Sequence, residues 1–73
     1  MKIKANREKT KELTDRERNI IKYIAHGWKD EEISKEVGCA MGTLRQSVSK
    51  ILEKTNVSNR PSLIFYACKN GLV

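Results

Sequence analysis

Residues 42–53 read GTLRQSVSKILE. Leu44, Val48, Ile51 and Leu52 recur at helical spacing, and Thr55 continues their row. Gly42, Gln46, Ser49, Lys50 and Glu53 fall on the opposite side, with Arg45 on its flank. A solvated surface helix commonly pairs Glu with Lys three or four positions apart. This one sets an Arg next to a Gln, with two Ser, one Lys and a single acid at its far end. The stretch predicts a helix over about residues 41–54 with one face for a core and the other for a polar partner.

Upstream, Thr14-Asp15-Arg16-Glu17 has the form of a capping box, in which Thr and Glu satisfy each other's backbone amides. Ile20, Ile21 and Ile24 follow as an apolar stripe, and Gly27 supplies a stop, so a first helix spans about 15–26. Asp30 is placed to cap a short second helix, with Glu31 and Glu32 at its positive end, Ile33 and Val37 facing inward and Gly38 ending it. Downstream, residues 56–61 read as a loop, and Pro61 fits the first turn of a fourth helix running to Asn70 and Gly71. No segment has the period of a strand. The expected fold class is all-α, four helices around one core, over residues 14–73, preceded by a flexible basic arm at 1–13.

Seventy-three residues allow one domain, close to the lower limit for folding without a staple. With one Trp, two Tyr and one Phe, the core must be small and mostly aliphatic. No apolar run approaches the roughly 20 residues of a membrane span, and the basic start lacks the apolar segment of a signal peptide, so the chain reads as cytoplasmic with no membrane partner. Cys39 and Cys68 have no CxxC spacing and His26 is the only histidine, a pattern for small partly buried thiols rather than a metal site. No nucleophile–base pair or phosphate loop is present. Neither an enzyme nor a cofactor is expected.

The net charge of +6 is unevenly spread. The first 13 residues hold five basic side chains against two acids, and residues 39–60 hold four against one, whereas residues 14–38 come to −1. The positive charge thus lies in the arm and around the opening stretch, which favours a polyanionic partner. Two short helices joined by a tight turn, the second polar near its start, match helix-turn-helix geometry. There the second helix enters the DNA major groove by its N-terminal half. Arg can donate two bonds to guanine O6 and N7, and Gln can pair with adenine N6 and N7.

LTDRE at 13–17, GWKDEEIS at 27–34, TLRQSVSKILEK at 43–54 and NVSNR at 56–60 follow in register, and together they resemble the LuxR/NarL-type helix-turn-helix domain over residues 13–73. The form is that of a stand-alone, GerE-like member; an output domain excised from a larger regulator fits equally. The resemblance implies a dimeric transcription regulator that binds double-stranded DNA, with the third helix for recognition and the fourth for dimerisation. By position it places Arg45, Gln46 and Ser49 at bases, and Lys29, Thr43, Ser47, Lys50 and Lys54 at the backbone. It also implies a structural salt bridge between Glu17 and Arg60. Four positions depart from the pattern. Ala40 replaces a common Ser cap, a change that costs about 1 kcal/mol. Gly42 stands where Lys or another polar residue is frequent, Ser47 replaces a His, and Thr55 an apolar residue.

Residues 61–70, PSLIFYACKN, carry more apolar surface than one core face needs. With Leu63, Ile64 and Ala67 inward, Phe65, Tyr66, Cys68 and Leu72 form a strip for a weak homodimer, unless the C-terminal residues fold back over it. A competing reading keeps the fold and changes the partner. The same fold ends sigma factors, and a protein-interaction module contacting RNA polymerase would use Glu53 and the acidic second helix.

Overall fold

The computed structural model describes residues 13–73, so all but the last residue of the arm expected at 1–13 lies outside the described residues. Four helices follow: α1 (Asp15–Ala25), α2 (Asp30–Val37), α3 (Met41–Thr55) and α4 (Arg60–Lys69). No strand occurs among the described residues, and the fold is all-α.

Local signals account for most of the helix ends. At α1 the capping box forms as expected: the Glu17 amide donates to Thr14 Oγ1 at 3.1 Å and the Thr14 amide to Glu17 Oε1 at 2.8 Å. The helix stops where Gly27, at φ 83°, lets its amide reach the Ile24 carbonyl and the Trp28 amide reach that of Tyr23. This wrap stacks Trp28 on Tyr23, with ring centroids 4.3 Å apart; Tyr23 packs against the core, and Trp28 lies exposed outside it. The α4 start is capped by Asn59, whose side chain accepts from the Ser62 amide at 2.9 Å, with Pro61 in the first turn.

At α2 the cap differs from expectation. Lys29 is the cap residue, and its amide donates to Glu32 Oε1 at 2.8 Å; Asp30 is the first helical residue and turns its carboxylate elsewhere. Ala40 caps α3 with no side-chain bond, as the substitution implies. Asn56 closes α3 at φ 59°, a left-handed position that Asn tolerates better than most residues.

The core gathers Ile20, Ile21 and Ile24 from α1, Ile33 from α2, Leu44, Val48 and Ile51 from α3, and Leu63 and Ala67 from α4. Leu13, placed by the sequence at the end of the arm, joins them at 4% exposure. Thr55 is buried without penalty because its hydroxyl donates to the Ile51 carbonyl at 2.8 Å. Helices α1 and α3 each pack against all three others, whereas α2 and α4 do not pack on each other directly.

Candidate nucleic-acid interface

Helix α2, the turn at residues 38–40 and helix α3 make up the helix-turn-helix unit. Burial of Leu44, Val48 and Ile51 sets the rotation of α3 about its axis. That rotation leaves Thr43, Arg45, Gln46, Ser49 and Lys50 exposed together, with Ser47 half-buried on the flank. The first turn of α3 contains no acid. Arg45 and Gln46 therefore stand on the outside of the domain with the donors and acceptor that base edges require. Lys29, which begins α2, is exposed as well.

Two ion pairs frame this face, and they are not the pair expected. Glu17 does not bond to Arg60. It accepts from Lys54 Nζ at 2.9 and 3.1 Å, tying the start of α1 to the last turn of α3. Arg60 instead donates from Nη1 and Nη2 to the two oxygens of Asp30, at 2.6 and 3.0 Å. That fork joins the starts of α2 and α4, which have no packing of their own. Glu17 already faces inward to satisfy the Thr14 amide, and Lys54 at the end of α3 is the cation that reaches it. Lys54, expected at the DNA backbone, is half-buried and held in this pair.

Burial works to raise the Glu17 pKa. It is outweighed by hydrogen bonds from Thr14 and by the bond and charge of Lys54, so the carboxyl lies below its ordinary 4.5. The Arg60 hydrogen bond holds Asp30 below its ordinary 3.8 against the opposing effect of burial, with help from the Arg60 and Arg45 charges. Both groups bind protons more weakly folded than unfolded. Their stabilisation is complete above the ordinary carboxylate values and is lost as pH falls through the lowered ones. The melting temperature is expected to drop between about pH 5 and about pH 3, and the drop should be smaller in Glu17→Gln. Thermal melts followed by circular dichroism across that range check this; an equal drop in the variant would remove Glu17 from the account.

On α4, Phe65 is the most exposed large apolar side chain among the described residues, at 69%, and Cys68 is exposed beside it rather than partly buried. Tyr66 is half-buried, and with Val57, Pro61, Ser62 and Lys69 the two aromatics line a shallow open groove. Leu72 departs from the expected strip. Gly71, at φ 70°, turns the chain so that the Leu72 amide reaches the Ala67 carbonyl at 2.8 Å, and the side chain packs on the core.

Sequence reasoning missed the Asp30–Arg60 and Glu17–Lys54 pairs, whose partners lie 30 and 37 residues apart. It also missed the backbone bond from Arg16 Nη2 to the Val37 carbonyl at 3.4 Å, which closes the end of α2. Charge complementarity within a helix or a turn is visible as spacing; these three depend on how helices cross. Among the described residues, no group of three or more His, Cys, Asp or Glu is placed to hold a metal, and no helix is long and apolar enough to cross a membrane.

A short helix and tight turn holding an exposed polar helix against an aliphatic core define a helix-turn-helix module. The chain belongs to the luxR family of bacterial regulatory proteins, whose family model matches residues 11–67. It is similar to the transcriptional regulatory protein DesR of Bacillus subtilis (strain 168), with 39% identity over 59 residues, covering 81% of this chain and 30% of that protein. It is also similar to the response regulator protein VraR of Staphylococcus aureus (strain NCTC 8325 / PS 47), with 32% identity over 72 residues, covering 99% of this chain and 34% of VraR. The chain thus spans about a third of the length of these relatives. DNA-binding transcription regulation is the function of its class.

Proposed function

We propose that this domain reads a specific sequence in double-stranded DNA by laying the N-terminal half of α3 in the major groove. The observation that carries this reading is the exposed, acid-free start of α3, where Arg45 and Gln46 lie beside Ser49 and Lys50. Arg45, Gln46 and Ser49 are the base-reading side chains. Thr43, Lys50 and Lys29 contact phosphates, with Ser47 reaching the backbone from the flank. Lys54, held by Glu17, is given no separate backbone contact in this reading. The protein acts in the cytoplasm as a transcription regulator.

Two copies associate through α4, using Phe65, Tyr66 and Cys68 in a two-fold contact that leaves both α3 helices free. Phe65→Ser is expected to shift a weak dimer to monomer in sedimentation equilibrium, while the melting temperature stays near that of the wild type, because Phe65 contributes little to the core.

Selection from a randomised duplex pool tests the whole reading. A two-fold related motif is the expected recovery. Salt-sensitive binding with no enriched motif would turn the polar face of α3 toward a protein such as RNA polymerase.

A further inference from the structure

Gly42 is exposed in the first turn of α3, with Gln46, Ser49 and Glu53 four, seven and eleven positions beyond it on the same side of the helix. Nothing among the described residues asks for glycine there. Its φ is not in the left-handed region, unlike those of Gly27, Gly38 and Gly71. A Cβ built at Gly42 meets no atom within 4 Å, so no neighbouring helix needs the space. Glycine is also among the poorest helix formers, and alanine the best. Taken alone, the folded domain would be as well or better served by alanine.

The space that Gly42 leaves lies outside the molecule, on the face that carries the reading residues and in the half of the helix that enters the groove. A glycine in such a place lets the backbone approach a partner more closely than a side chain allows. We infer that Gly42 is a specificity-determining residue at which the α3 backbone packs directly on base-pair edges of the duplex, setting how deeply Arg45 and Gln46 penetrate. This rests on the reading of α3 as the recognition helix. It gives the absent side chain a role: depth of insertion, in place of the contact that a longer residue at this position would make.

The test compares Gly42→Ala, Gly42→Leu and Arg45→Ala with the wild type. The probes are the duplex most enriched by the wild type from a randomised pool and an unrelated duplex of the same length. The expected result for Gly42→Ala is a melting temperature equal to or above that of the wild type and affinity for the enriched duplex lowered about tenfold. Gly42→Leu should lose more, and binding of both variants to the unrelated duplex should stay within about twofold. If Gly42→Ala binds the enriched duplex as the wild type does while Arg45→Ala loses affinity, the inference about Gly42 is overturned and the recognition helix stands. If Arg45→Ala also binds unchanged, or the wild type enriches no motif, the recognition-helix reading fails and the inference falls with it.

Discussion

Ile51→Ala is expected to remove a large share of the stability of the whole domain. Ile51 is 0% exposed, on a helix that packs against all three others. Deleting most of a buried isoleucine loses its transfer free energy and leaves a cavity that the surroundings close only in part, for a cost of about 2–5 kcal/mol. At about 0.05–0.15 kcal/mol per residue, a chain of this size has a total of roughly 4–11 kcal/mol to lose. The small aliphatic core has few other contacts with which to compensate. Urea denaturation checks the result: the midpoint should fall steeply while the slope stays near that of the wild type. Ser49→Ala on the same helix, exposed and outside the core, serves as the control and should leave the midpoint almost unmoved. A small shift for Ile51→Ala would mean that α3 is not docked as described, and the rotation that exposes Arg45 and Gln46 would lose its basis.

The second large effect concerns DNA. Arg45→Ala is expected to cost about 1–3 kcal/mol of discrimination at one position in each half-site, a roughly 5-fold to 150-fold loss of preference for its base pair. The reason is geometric. A guanidinium offers two parallel donors that match guanine O6 and N7, and alanine offers none. Lys50→Ala should behave differently. It removes a phosphate contact, so all duplexes should weaken together and the log–log salt dependence should flatten by about one. The contrast between the two variants matters more than either value, because only a reading residue changes the order of preference among sequences. Gln46→Ala added to Arg45→Ala should blur a second position of the motif. If the double variant recovered the wild-type motif from the randomised pool, neither side chain could be a base reader.

These two predictions draw on the two faces of α3, and both faces were legible in the sequence. The period of Leu44, Val48, Ile51 and Thr55 marked the buried side, and those four are the buried residues of α3. The Thr14–Glu17 box, the stop at Gly27 and Pro61 in the first turn of α4 are signals confined to one turn, so they survive the folding of everything else. Leu13 and Leu72 were harder. Each lies just beyond a helix end, where periodicity stops giving information; Leu13 was placed in the arm and Leu72 in the exposed strip, and both pack on the core.

Charge pairing shows the limit most clearly. Glu17, Asp30, Lys54 and Arg60 were all in view as charged residues, and the resemblance joined Glu17 to Arg60. The helices as they cross join Glu17 to Lys54 and Asp30 to Arg60. Which carboxylate meets which cation depends on separations of a few ångströms between side chains on different helices, and nothing in local spacing encodes them. The pairs in turn decide that Lys54 is committed within the domain and that the starts of α2 and α4 are held together. The sequence by itself determined four helices, the capping box of α1, the core face of each helix and the polar face of α3, because those properties are set by neighbours within a turn or two along the chain. Only the tertiary structure decided the ion pairs, the packing of Leu13 and Leu72 on the core and the open space beside Gly42, because these are set by where distant residues come to lie.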